Sequence, residues 1–383
     1  MAILGSIAGF LSLALIVTNL ASMLIAGLRW RRRSARLAKT RNRPGVTIIR
    51  PLCNVEEFSR ETLAANFAID WPSYEVIFCV QKNADPVIPL VREIMARYPS
   101  VRARLLIGDD PVTANPKLNN CIKAWRVARY RWIAIADSNA LLPPDYLKRM
   151  MGAWRADSGL VSSMPLGTRP SSFAAQIECA FLNTFQARWQ YAAEAVGLGF
   201  AQGKNMLWRK DILDRAGGLA ALGEEPAEDA ASTRLVRAQG LSVHLVDMPF
   251  EQPLGRRRMT EVWLRQTRWA RLRRATFPAQ FLPEILTGAV APVSLAAFAA
   301  FALDRDPVVA SLAVAAILYS VELLLAVRAR LPLGWRMPVA MILRDLAIPA
   351  IYLDAWLIDS FTWHGHAMSV VKTDDAILRQ SPT

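Results

Sequence analysis

Three carboxylates, one lysine and a run of arginines carry most of the chemistry this sequence could do. Asp85 follows the apolar run YEVIFCV, in VQKNADP; Asp137 closes RWIAIAD and is followed by Ser138 and Asn139; Asp229 stands beside Glu228 in GEEPAEDAASTRLVRAQG. An apolar run that stops at an aspartate presents a carboxylate where Mg2+ or Mn2+, which prefer oxygen ligands, can join it to a diphosphate. Asp137 is therefore the candidate metal ligand, although alone it reads equally as a cap on the turn before PPDYL. Lys117, in NPKLNNCIKAW, opens a helical stretch where an ammonium and free backbone N–H groups can meet a phosphate; alone, a solvated surface lysine is the plainer reading. Glu228 and Asp229 fall in the first turn of an amphipathic helix, whose N-terminus favours the ionised carboxylate. Asp229 is thus a candidate general base, with ordinary helix capping as the competing reading. Finally, RQTRWARLRR (265–274) holds five arginines, one tryptophan and no acid. At helical spacing Arg265, Arg268, Trp269 and Leu272 share one face, while Arg271 and Arg274 lie off it. Nucleic acid, an anionic membrane surface or the phosphates of a small substrate would each suit such a cluster.

The elements that must position these residues alternate. VTIIRPL (46–52), YEVIFCV (74–80), ARLLIG (103–108) and RWIAIAD (131–137) are short β-branched and aliphatic runs separated by helical stretches at 56–68 and 87–98. This pattern predicts an α/β unit with a mostly parallel sheet, in which ligands bind beyond the C-terminal strand ends. Residues 3–28 carry no charge, more than the ~20 residues a membrane-crossing helix needs; no basic residue precedes them, so a retained helix is favoured over a signal peptide. RWRRRSARLAKTRNR (29–43) follows with eight Lys/Arg and no acid, which puts the next domain on the cytoplasmic side. Two further apolar runs, 285–303 and 307–327, flank DRDP, and a third, 337–358, carries Arg344, Asp345 and Asp354. Charges are expensive in lipid, so the third run is expected to be embedded without being lipid-surrounded. A net charge of +14 with 53% hydrophobic residues fits a membrane protein with basic flanks. The scattered Cys53, Cys79, Cys121 and Cys179 read as reduced core residues.

The motifs RPLCNVEEF (50–58), EVIFCVQKNADP (75–86), NPKLNN (115–120), RKDILDRAGGL (209–219), AED (227–229) and RQTRWARLR (265–273), in this order, resemble glycosyltransferase family 21. These are the ceramide glucosyltransferase-like enzymes, and the resemblance spans residues 45–280. It implies a GT-A, Rossmann-like α/β cytoplasmic domain with N- and C-terminal transmembrane helices, in an integral membrane protein of a bacterial inner membrane. It implies inverting transfer of a sugar, glucose first, from a UDP-sugar donor to a lipid acceptor, ceramide or diacylglycerol. Asp85 would help hold the nucleotide, Asp137 would act through the divalent metal (Mg2+ or Mn2+) and the diphosphate, and Asp229 would be the catalytic base. Arg265, Arg268 and Trp269 would match the (Q/R)-x-x-R-W motif, and Lys117 would add a cation for the donor. The D-S-N at 137–139 departs from a full D-x-D, leaving one carboxylate and Asn139 as a neutral ligand. The implied layout is a membrane helix at 1–28, a basic segment at 29–44, the catalytic domain at 45–255, an interfacial helix at 256–280, membrane helices within 281–360 and a tail at 361–383. A processive polysaccharide synthase and a membrane-anchored basic binding protein are the competing classes. Carboxylates at strand ends argue against nucleic acid as a partner, leaving Arg271, Arg273 and Arg274 to face lipid phosphates.

Overall fold

A computed structural model describes residues 1–31, 43–225, 227–332, 334–363 and 366–369. Most of the basic segment and most of the tail expected from the sequence lie outside these residues.

The core of the molecule is a seven-stranded sheet in the order β3-β2-β1-β4-β7-β5-β8. Its strands are β1 (Val46–Leu52), β2 (Tyr74–Val80), β3 (Arg102–Ile107), β4 (Trp132–Ala136), β5 (Ser158–Ser162), β7 (Asn205–Arg209) and β8 (Ser242–Leu245). A second, two-stranded sheet joins β6 (Pro165–Pro170) to β9 (Phe250–Gly255). β1 is buried along its whole length, as its unbroken VTIIRPL requires of a central parallel strand covered on both faces. The first four strands run parallel, and their ends match the sequence expectation to within a residue or two. The sheet is mostly parallel, as expected, with one reversed strand: β7 runs antiparallel to both β4 and β5, while β8 pairs parallel with β5. That reversal matters for the site: it brings the N-terminal end of β7 to the edge where the parallel strands end.

Seven helices are used below: α1 (Ala2–Arg31), α2 (Pro116–Val127), α3 (Glu228–Ala238), α4 (Met259–Thr276), α5 (Val290–Ala302), α6 (Pro307–Arg328) and α7 (Met337–Leu357). α1 and α6 are long and apolar enough to cross a membrane, at 30 and 22 residues. At about 1.5 Å per residue they measure about 45 Å and about 33 Å, against a hydrocarbon core of about 30 Å. Asp306 starts α6, its Oδ1 accepting from Val308 N–H at 2.7 Å and Val309 N–H at 3.1 Å, with Pro307 at the first helical position. The run 285–303 is not one straight helix. Pro278–Leu286 and α5 meet at 51°, and only if that bent pair counts as one span does the number of candidates among the described residues reach three.

The third apolar run forms α7, which packs against α4 and against the helix Phe173–Cys179 of the α/β unit. Its charges are buried and matched. Arg344 pairs with Glu322 of α6 and, through NH2, with Asp345 Oδ1 at 3.0 Å, while Tyr319 donates to Asp345 Oδ2 at 3.0 Å. Arg344 also donates to Ala180 O at 3.2 Å, in a π-helical turn of the α/β unit. The Arg344 and Asp345 charges of α7 are thus held by protein, while Leu346, Leu353 and Leu357 of the same helix are exposed.

Candidate active site

The site forms where β4 and β7 end side by side. The antiparallel register pairs Ala136 with Asn205, so the next residues out, Asp137 and Lys204, face one another, and Asp137 N–H donates to Lys204 O at 3.0 Å. Lys204 Nζ then lies 2.9 Å from Asp137 Oδ2 and 3.2 Å from Asn139 Oδ1. The other oxygen, Asp137 Oδ1, lies 2.6 Å from Lys117 Nζ.

α2 delivers Lys117. Asn115 caps it, accepting from Leu118 N–H at 3.1 Å, and Pro116 occupies the first turn. Lys117 is no solvated surface residue. Its ammonium donates to Gly203 O at 2.8 Å and Glu228 Oε1 at 2.6 Å and is ion-paired with Asp137 Oδ1. Gly203 is required here by close approach: a Cβ would sit 2.8 Å from Glu228 Oε1 and 3.2 Å from Lys117 Nζ.

α3 delivers Glu228 and Asp229. Asp229 Oδ2 accepts from Gly203 N–H at 3.0 Å and Oδ1 from Ala230 N–H at 2.8 Å. Asp137 and Asp229 titrate far apart. Burial acts to raise Asp137, but the ammonium groups of Lys117 and Lys204 overcome it and hold the carboxyl down at about 2. Burial and the charge of Glu228 push Asp229 up to about 6, against the pull of the Gly203 N–H, Lys117 and the Ala230 N–H. The helix start does favour the ionised carboxylate, as the sequence suggested, through the Ala230 N–H. The helix N–H groups are present but are outweighed by desolvation and by the neighbouring carboxylate. Burial also acts to lower Lys117, and Asp137 and Glu228 reverse this, keeping it well above the ordinary lysine value.

Asp85 lies at the end of β2, buried. Its oxygens accept from Asn54 N–H at 3.1 Å each, and Oδ1 also accepts from Val87 N–H at 2.9 Å. It ties the loop after β1 to the helix after β2. Arg50, buried on β1, reaches across the same edge and donates to Ser138 O at 3.0 Å and Ala140 O at 3.1 Å, fixing the turn that carries the D-S-N motif. Beside that turn is a small hollow lined by Glu57, Phe58, Ser138, Asn139, Leu254 and Arg257, among others.

The arginine helix α4 divides differently from expectation. Arg265 pairs with Glu178, a fully buried carboxylate on the helix Phe173–Cys179 whose Oε2 also meets Arg257 Nε at 3.3 Å. Arg268 makes no ion pair or hydrogen bond among the described residues, and burial, helped by Arg265, lowers it to about 10. Trp269 packs half-buried against the cluster formed with α7. Arg271, Arg273 and Arg274 do not stand free for lipid phosphate; each meets a carboxylate of the chain. Arg271, buried, is 2.6 Å from Asp354 of α7; Arg273 pairs with Glu284 (Nε to Oε2, 2.9 Å); Arg274 pairs with Asp359. Of the cysteines, three are buried as expected and Cys53 is exposed.

Sequence reasoning missed Lys204, Glu178 and Glu322. Lys204 precedes its strand, so a search of residues following strands passes it by. The other two carried a legible signal, an acid inside an otherwise apolar helical run.

Among the described residues no group of three or more His, Cys, Asp or Glu is arranged to hold a metal ion. Asp137 Oδ2 and Asn139 Oδ1 nonetheless converge on one cationic group, the Lys204 ammonium. A single carboxylate beside a neutral oxygen is also a donor set that a divalent ion accepts when substrate phosphates complete its shell.

The site thus brings two ammonium groups onto a strand-end aspartate and sets a second carboxylate, raised to about 6, beside them. The family model for glycosyl transferase family 21 matches residues 11–376, and the chain belongs to that family. It is 28% identical over 257 residues to ceramide glucosyltransferase 1 of Caenorhabditis elegans, covering 67% of this chain and 55% of that protein. It is 29% identical over 217 residues to a ceramide glucosyltransferase of Komagataella phaffii, covering 50% of this chain and 42% of that protein. The chain thus spans about half the length of the curated relatives it matches. Among solved structures it is similar to a mannosyltransferase from Pyrobaculum calidifontis in complex with GDP-Man and Mn2+. That match has a TM-score of 0.49 and 18% identity, over 88% of this chain and 99% of that one.

Proposed function

We propose that this chain transfers a sugar, glucose first, from a UDP-sugar to a hydroxyl of a membrane lipid, ceramide or diacylglycerol, with inversion at the anomeric carbon. The observation that carries the reading is the geometry at the β4–β7 edge, where Lys117 and Lys204 flank Asp137 and Gly203 N–H binds Asp229, so that the first carboxyl is held down and the second pushed up. Pairs pushed apart in this way divide electrostatic and acid–base work between them.

On this reading Asp137, with Lys117 and Lys204, holds the diphosphate end of the donor. Arg268, with no ion-pair partner among the described residues, closes over the leaving group as its charge develops. Asp85 positions the loop that meets the nucleotide, and Arg265 and Trp269 shape the entrance. Asp137 and Asn139 are the residues that would hold a divalent ion, which would supply further positive charge at the diphosphate. Asp229 accepts the proton of the incoming hydroxyl. A raised carboxyl suits this role, because a base matched to near-neutral pH is free to accept a proton and is stronger than an ordinary aspartate. Attack from the face opposite the leaving group turns an α-linked donor into a β-glycolipid without a covalent enzyme intermediate.

The lipid acceptor accounts for the architecture. α1 and α6 hold the crevice at the bilayer, and the basic stretch after α1 favours the cytoplasmic side for the catalytic unit. A small hollow beside the arginine helix is lined by Phe181, Phe185, Phe281 and Tyr352 together with Gln186, Gln266, Arg273 and Glu284, an amphipathic setting next to the bilayer-facing helices. The test uses membranes containing the protein, given labelled UDP-glucose or UDP-glucuronate with ceramide or diacylglycerol. A labelled, chloroform-soluble product from at least one pair is expected; none from any pair would overturn the proposal.

A further inference from the structure

The cation nearest the D-S-N motif is part of the chain itself. Lys204 Nζ stands 2.9 Å from Asp137 Oδ2 and 3.2 Å from Asn139 Oδ1, the two oxygens that the motif offers to a metal. Its placement is built into the sheet. The β4–β7 register sets Lys204 across from Asp137, and the Asp137 N–H to Lys204 O hydrogen bond of 3.0 Å closes the ladder there.

The two lysines on Asp137 are not equivalent. Lys117 is held on three sides, hydrogen-bonded to Glu228 and Gly203 and ion-paired with Asp137. Lys204 has one hydrogen bond, to Asn139, and one ion pair, to Asp137, among the described residues, and an ammonium has three donors, so it keeps a donor for an incoming oxygen. Its side chain is also the more exposed of the pair, 20% against 14%. Charge supports the same assignment. Lys117 and Lys204 are matched by Asp137 and Glu228, so the pocket floor is close to neutral before Asp229 ionises. A nucleoside diphosphate therefore needs a cation that can turn to it, and of the two lysines on Asp137, Lys204 is the one with a donor to spare.

We propose that Lys204 is a built-in cation at the D-S-N motif that binds the donor diphosphate directly, so that nucleotide binding by this chain depends only weakly on a divalent metal. The proposal rests on the nucleotide-sugar reading above and specifies which group neutralises the donor.

The experiment is UDP binding to the full-length chain in detergent, by calorimetry, in EDTA and in Mn2+. Wild type, Lys204→Met and Lys204→Arg are compared. A charge-assisted contact of this kind predicts that wild-type affinity differs by less than about fivefold between the two buffers, and that Lys204→Met binds at least about tenfold more weakly in EDTA. Lys204→Met should recover most of that affinity in Mn2+, which also shows that the variant is folded, and Lys204→Arg should stay near wild type in EDTA. Wild-type binding that disappears in EDTA, or Lys204→Met binding as wild type does in EDTA, would overturn the proposal while leaving the donor reading intact. A wild type that binds no UDP in either buffer would overturn both.

Discussion

Asp229 sits under two backbone N–H groups and beside Glu228, and burial with that neighbour raises its carboxyl to about 6. Two outcomes follow at the scale of the residue. As the base, Asp229 must be ionised, so the transfer rate should climb as pH rises through about 6 and level off above it, measured at saturating donor and lipid. Stability should run the opposite way. A carboxyl whose folded value exceeds its unfolded one stabilises the fold at low pH, and that contribution is lost as pH rises through about 6. Asp229→Asn, neutral at every pH, is therefore expected to lose about 100-fold or more in transfer yet melt no lower than wild type above about pH 7. A lower melting temperature there would mean that the charged carboxylate is stabilising and its raised value wrong. Gly203→Ala tests the geometry next to it. The added methyl would meet Glu228 and Lys117, and turnover should fall as that ion pair is forced apart.

At the scale of elements, α6, α7 and the α/β unit are joined by buried charges, those of α7 read from the sequence and Glu322 of α6 not. Arg344 is matched by Glu322 and Asp345, all buried, with Arg188 of the α/β unit 3.9 Å from Glu322. Breaking a buried pair leaves an uncompensated charge, so Arg344→Met should cost about 3–5 kcal/mol, read as thermal unfolding in detergent. The double variant Glu322→Gln, Arg344→Met should recover part of the loss, and equal losses would show that the pair is not coupled. The arginine helix teaches the same lesson. Its helical face was readable from spacing, but what each arginine touches was not, because Glu178, Asp354, Glu284 and Asp359 come from elsewhere in the chain. Strand runs were legible, since four uninterrupted β-branched segments have few alternatives. The direction of β7 was not, because nothing local in NMLWR says which way it enters the sheet, and Lys204 was missed with it. Asp85, Asp137 and Asp229 were legible because strand ends and helix starts are local; their titration was not, because it depends on neighbours from α2, α3 and β7.

For the molecule as a whole, attachment to the bilayer rests on apolar helices. α1 and α6 supply the length and hydropathy, while Arg29, at the end of α1, is turned inward to Glu194 at 2.6 Å and Asp247 at 2.9 Å. Arg273→Ala and Arg274→Ala are therefore expected to leave the protein in the membrane pellet after a high-salt wash. Each pair is partly exposed, so each change should cost no more than about 1 kcal/mol of stability. Release by salt would instead mean that these arginines do serve lipid phosphates. The central claim, that a lysine-bound Asp137 and a poised Asp229 carry out inverting transfer to a lipid, is tested most directly by the anomeric configuration of the glycolipid made from α-linked UDP-glucose. The prediction is a β-linked lipid with wild type and none with Asp229→Asn, and an α-linked product, or a β-linked one still formed at wild-type rate by Asp229→Asn, would contradict it.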